Sequence, residues 1–304
     1  MSRFYRDSSD RVWSIVACHV LFCMIVENEE ERLTMRSFLV HVHDDSCLDA
    51  RLKVAVDLAR SFDGHLTCLH ATPYEFFMPN DVYGTLIAQM AAEQRSNAAR
   101  MHETLNGKLA DSGVEWDWME QEGMVVTRLF QQAGLSDLVL LGACDEETGE
   151  PGYSSLPGEL AIETQTPVMV VPQSSSAFDV TAPAVVAWKG TSESSRALRA
   201  AVPLLAKAAS VDIVTSHEAG SSDYDVAAEA AQTFLSHHGI ASQVTKLEDT
   251  SKSVATDLNE FTQSKGAGLI VMGAFGQSRL RQRVFGGVTR EMLSNVQVPL
   301  FLCH

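Results

Sequence analysis

The feature that most constrains this chain is that it repeats itself. LVLLGA at 138–143 returns as LIVMGA at 269–274, and TQTPVMVV at 164–171 returns as NVQVPLFL at 295–302. The period, roughly 130 residues, is too long for a solenoid and suits a duplicated domain. Within each repeat, short β-like runs alternate with helical stretches, the order of a parallel sheet covered by helices. In the first repeat SFLVHVH (37–43), HLTCLHA (65–71), a run near 114–121, DLVLLG (137–142) and PVMVV (167–171) read as strands. Helices are expected at 48–62, about 82–110, 124–135 and 155–164, with Gly64 closing the first. The second repeat gives strands AVVAW (184–188), VDIVTSH (211–217), SQVTKLE (242–248), GLIVMG (268–273) and VPLFLC (298–303). Its helices are expected at 192–209, 225–239 and 253–266, with a short one before the last strand. The Ser- and Pro-rich PQSSSAFDVTAP (172–183) has no periodicity and reads as the linker.

The predicted organisation is therefore an N-terminal appendage at 1–34, domain 1 at 35–172, a linker at 173–182 and domain 2 at 183–304. The 304 residues suffice for two cores of ordinary size. The appendage holds a 14-residue apolar run, Trp13 to Val26, that is short for a membrane span and lacks a small-residue cleavage site. It is expected to be poorly ordered. Thirty-nine acids against 23 bases, a net charge of −16, speak against nucleic acid and against an anionic membrane surface. Any anion site must be local. The six cysteines show no CxxC pair and no zinc spacing, so reduced thiols in a cytoplasmic protein, without a metal, are expected.

Local positive charge does occur, in GAFGQSRLRQRVFGGVTREML at 273–293. Gly273 ends a buried strand, Gly276 permits a sharp turn, and Gly286 and Gly287 open a helix. Glycines let backbone N–H groups approach an anion, and a helix N-terminus adds favourable potential. Arg279, Arg281, Arg283 and Arg290 surround the loop, and Thr289 offers a hydroxyl. In open α/β sheets ligands bind beyond the carboxyl ends of strands, where this loop lies. Residue chemistry alone leaves two readings, a phosphate cradle or a tight turn with solvated arginines. Neither a Walker loop nor a dinucleotide fingerprint is present.

With Gly273, Gly276 and Gly286 spaced as G-x-x-G-x9-G, the chain from Met35 onward resembles the universal stress protein (UspA-like) family in its tandem bacterial form. The resemblance implies an α/β fold of two tandem Rossmann-like (HUP-type) domains, each a five-stranded parallel sheet of order 3-2-1-4-5 flanked by helices. It implies ATP or a related adenine nucleotide, with or without Mg2+, at the domain 2 loop. Backbone donors would come from Gly273, Gly276, Gly286 and Gly287, with help from Arg279, Arg283 and Thr289. The backbone of Val214 and Thr215 would meet the adenine. It also implies an intramolecular pseudo-dimer through the last strands, with a homo-oligomer open alongside. Two departures are visible. Gly287 stands where the family has Ser or Thr, and the acid expected after the first strand falls at Lys189.

Domain 1 reverses this pattern. Asp44 stands at the acid's position, but its loop reads GACDEETGEPGYSSL, with Asp145 at the second glycine. Asp145, Glu146, Glu147 and Glu150 would repel a triphosphate, so domain 1 reads as a structural half. His41 and His43 alternate on one strand without a third ligand, and a structural role is expected. HHGI at 237–240 reads as a helix end closed by Gly239. No catalytic residue is identified. The expected function is a regulatory or protective stress protein that binds nucleotide without efficient catalysis. A scaffold without nucleotide and a slow ATPase are the alternatives.

Overall fold

The computed structural model describes residues 35–72, 84–145, 148–216, 226–248, 252–274 and 287–304. The predicted appendage and the centre of the glycine–arginine loop, with Gly276, Arg279, Arg283 and Gly286, lie outside the described residues. Met35–His304 forms one compact unit. Its first half runs β1 (Ser37–His41), α1 (Leu48–Phe62), β2 (His65–Thr72), α2 (Gly84–Leu109), β3 (Trp116–Glu122), α3 (Val125–Ala133), β4 (Leu138–Gly142), α4 (Leu156–Glu163) and β5 (Val168–Val171). The second runs β6 (Ala184–Ala187), α5 (Ser192–Ala200), α6 (Val202–Leu205), β7 (Val211–Thr215), α7 (Ala228–His237), β8 (Ser242–Lys246), α8 (Val254–Ser264), β9 (Leu269–Gly273), α9 (Gly287–Ser294) and β10 (Leu300–Cys303).

The strands make one sheet of order β3-β2-β1-β4-β5-β10-β9-β6-β7-β8. Each half is a parallel sheet of order 3-2-1-4-5, as expected. The halves meet where β5 and β10 pair antiparallel, with Met169 opposite Phe301. Central strands are buried on both faces, which is why LVLL and LIVM are unbroken apolar runs. The outermost strands, β3 and β8, alternate in exposure and carry polar residues on one face. One apolar cluster is continuous across both halves and includes Leu39, Leu141, Val170, Ile270 and Leu300, with Leu160 of α4, Leu258 of α8 and Met292 of α9. Met101 and Leu105 of α2 are core residues.

Three local expectations change. Asp63, not Gly64, adopts the left-handed conformation that ends α1, at φ 50°, a conformation that Asp tolerates. Gly64 serves another purpose, since a Cβ there would sit 2.5 Å from the Phe38 ring. The helix expected at 192–209 breaks at Ala201, because Pro203 has no N–H to continue the ladder. The linker docks rather than dangles: Phe178 is buried, and its N–H donates to Asp57 Oδ2 at 2.8 Å. Gly239 takes φ 72° after α7, as a helix-ending glycine should.

Candidate functional site

The carboxyl edge of each half-sheet is where a ligand would sit, and the two edges differ. Strand register makes them comparable residue by residue. Val40 pairs with Leu140, and Leu140 with Met169; Val186 pairs with Val271, and Val271 with Phe301. Met169 and Phe301 being partners, Val40 and Val186 are counterparts, as are Gly142 and Gly273. Main-chain bonds agree: Val42 N–H donates to Leu69 O as Trp188 N–H donates to Val214 O. Counting onward, Lys189 is the counterpart of His43, and Gly190 that of Asp44. The acid position in the second half is thus held by Gly190, at φ 86°, and Lys189 is exposed beside it. This moves the expected departure by one residue.

In the second half the edge is built by a helix start. Thr191 caps α5, its hydroxyl accepting from Ser194 N–H at 3.4 Å. The first turn of α5 lies directly against the end of β9. A Cβ on Gly273 would be 2.5 Å from Ser194 N and 2.6 Å from Glu193 C, so only glycine allows this approach. Glu193 is buried; its Oε1 accepts from Ser192 Oγ at 3.1 Å, while Oε2 has no hydrogen-bond partner. Such an orphaned carboxylate oxygen needs a donor or a cation. The helix α9 begins at Gly287, which is exposed, whereas Thr289 is buried at 5% exposure. Val214 and Thr215 end β7, but both carbonyls already accept main-chain N–H groups, from Trp188 and Leu247 at 2.8 Å each. A base docking there would add a second bond to each.

In the first half the same edge is plugged. Arg51 of α1 is wholly buried and forms an ion pair with Asp45, Nη2 to Oδ2 at 2.9 Å. Its counterpart in the second half is Ala197. A Cβ on Gly142 would meet Arg51 Nη1 at 2.3 Å and Cys47 Cβ at 2.8 Å, so guanidinium and cysteine fill what Gly273 leaves to the α5 backbone. Cys47, at the N-cap of α1, is disulfide-bonded to Cys144 just after β4. This corrects the expectation of reduced thiols throughout: among the described cysteines only Cys68 and Cys303 are free, and both are buried. The acidic loop folds back on the β1–α1 turn, with Ser46 N–H and Oγ both donating to Gly149 O. Asp145 Oδ1 accepts from the N–H and hydroxyl of Thr148. A small cavity of about 80 Å³ remains, lined by His41, His43, Asp45, Arg51, Cys144 and Ser154 among others. Burial, and then the Arg51 charge, hold the His41 pKa well below its usual 6.5; burial lowers that of His43 as well.

The residues that sequence reasoning missed are Arg51, Cys47 with Cys144, and Glu193. One signal was available for Arg51. It lies on the apolar stripe of LDARLKVAVDLA, flanked by Leu48, Leu52 and Ala55, where a charge must find a partner.

The Universal stress protein family matches residues 182–304. No curated protein matches the sequence. Among solved structures, a universal stress protein from Archaeoglobus fulgidus aligns at TM-score 0.62 and 14% identity, over 89% of this chain and 97% of its own. A candidate universal stress protein from Pseudomonas aeruginosa aligns at TM-score 0.55 and 15% identity, over 89% and 94%. Among the described residues no helix is long and apolar enough to cross a membrane. Residues 182–304 thus match the universal stress protein family, and the first half repeats their fold.

Proposed function

We propose that the second half binds an adenine nucleotide and that the protein acts as a nucleotide-responsive regulator in the cytoplasm, without efficient catalysis. The observation that carries this reading is the asymmetry at Gly142 and Gly273. Both edges have a glycine, but the first is filled by the Arg51 and Cys47 side chains with Asp45 and a disulfide, whereas the second packs Gly273 against the backbone of the α5 start. The start of α9 at exposed Gly287, where the lack of a side chain allows close approach, suits phosphate. Gly273, Gly276, Gly286 and Gly287 provide these donors, with Arg279 and Arg283 as countercharge. Lys189, exposed at the end of β6, is a further cation for phosphate. The buried Glu193 sets a condition: its free oxygen beside a polyanion is tolerable when Mg2+ accompanies the nucleotide. The two repeats act as domains 35–172 and 183–304, closed on one another as a pseudo-dimer through β5 and β10.

The test begins with purified full-length protein, denatured and analysed by chromatography for released nucleotide. Bound adenine nucleotide, or a thermal shift on adding ATP with Mg2+, is expected. Gly276→Asp, which copies the residue of the acidic repeat, should abolish both. Neither release nor shift would favour the scaffold reading, and phosphate release on binding would favour hydrolysis.

A further inference from the structure

We propose that Cys47 and Cys144 form a thiol–disulfide exchange site, reduced by a dithiol, which clasps the acidic loop 143–155 to the start of α1. The bond spans 97 residues and joins two segments whose other mutual ties include the Ser46 bonds to Gly149. In the cytoplasm, the compartment of the proposed function on which this inference rests, a disulfide is more often a redox device than a permanent staple. Its surroundings also treat the two sulfurs differently. Arg51 Nη1 and Cys47 Sγ both lie within 3.5 Å of the point that a Gly142 Cβ would occupy, so the guanidinium and that sulfur border the same small space. Cys47 further sits at the N-cap of the 15-residue α1, in the positive end of the helix field. Both sulfurs lie within 4.8 Å of the Asp45 carboxylate, Cys144 Sγ at 3.7 Å, but only Cys47 has the helix start and the guanidinium beside it as well. A thiolate is thus favoured at Cys47 over Cys144.

Access has the same polarity. Both cysteines are buried, but Cys144, at 6% exposure, lines the small cavity beside His43 and Ser154, whereas Cys47 is wholly enclosed. An incoming thiolate attacks Cys144 Sγ, a new S–S bond forms, and the electron pair of the old one passes to Cys47 Sγ, the better leaving group. The second thiol of the dithiol then attacks its own sulfur in the mixed disulfide. Cys144 is released as a thiol, and the reductant departs oxidised. Two electrons and two protons are transferred to the protein. Arg51 is a positioning residue here, holding charge beside the leaving sulfur. The freed loop carries Tyr153, whose ring lies 5.3 Å beneath Arg290 of α9, so opening reaches the second half. Reduced, the Asp45–Cys47–Cys144 group has metal-ligating chemistry, but the Arg51 ion pair already occupies Asp45 and a cation would be repelled.

The experiment uses the full chain, equilibrated in native buffer across a series of dithiothreitol to oxidised dithiothreitol ratios, then trapped with N-ethylmaleimide and mapped by peptide mass. Cys47 and Cys144 should convert together as one two-electron couple, while Cys68 and Cys303 stay unlabelled until unfolding. Amide exchange over 143–155 should rise about tenfold on reduction. Cys144→Ser should show the faster exchange at every ratio; should that variant not fold, the wild-type titration decides. Four results would overturn the proposal. They are free Cys47 and Cys144 in air-equilibrated protein, a bond that native dithiol cannot reduce, unchanged exchange over 143–155, or stoichiometric Zn2+ uptake by the reduced pair.

Discussion

Met169 of β5 and Phe301 of β10 are partners across the antiparallel join, and both are fully buried. Here two parallel sheets become one, so apolar contact at this pair stabilises the halves and their union together. Phe301→Ala should lower unfolding stability by about 3–5 kcal/mol. Chemical denaturation would show this as a lower midpoint; a loss confined to the second half's signals would mean that the join is not shared.

Gly273→Ala places a methyl against main-chain atoms of Glu193 and Ser194 at 2.5–2.6 Å. Backbone cannot step aside as a side-chain tip can, so α5 must shift. The expected destabilisation is about 1–3 kcal/mol. Nucleotide affinity should fall at least as steeply, which isothermal titration at a temperature where the variant is folded would measure.

His41 gives a pH dependence with a definite sign. Its folded-state pKa is lowered by burial and by Arg51, from a usual 6.5. The unfolded chain therefore binds the proton more readily, and stability falls as pH drops below 6.5 toward the folded value. The slope from this group reaches at most about 1.4 kcal/mol per pH unit. Above 6.5 it contributes no slope. Denaturation midpoints measured just below 6.5 should decline in wild type and decline less steeply in His41→Asn, where His43, lowered by burial as well, supplies the remaining slope.

Cys68 is pushed up to about 12 by burial, and Cys303 is also raised, chiefly by burial. Neither should react with maleimide in native protein at neutral pH. Labelling by mass spectrometry before and after unfolding checks this, and rapid native labelling of Cys68 would place that strand closer to solvent than described.

Much of the fold was legible because repetition is visible without geometry. LVLLGA and LIVMGA marked the central strands, and alternation marked the helices between them. The failures are instructive in kind. Asp63 replaced Gly64 as the left-handed residue because a glycine's use against Phe38 is tertiary. The break at Ala201 was written in Pro203, and periodicity overrode it. The acid position slipped to Lys189 because WKG and HDD align only once the register of β1 and β6 is known. The Cys47–Cys144 pairing had no local trace at all, since only the adjacency of β1 and β4 brings the two segments together.

The β5–β10 seam has one more consequence. Two separate copies of a five-stranded unit must find each other, and the fraction joined depends on how many are present. Here residues 172–183 tether the partners, so closing the seam is a unimolecular event with a fixed effective concentration. Dilution does not open it, and a copy from another chain must compete with a partner that is always at hand. Each half has therefore been free to diverge, one leaving its edge to the α5 backbone and the other filling it with Arg51 and a disulfide, without forming mismatched pairs.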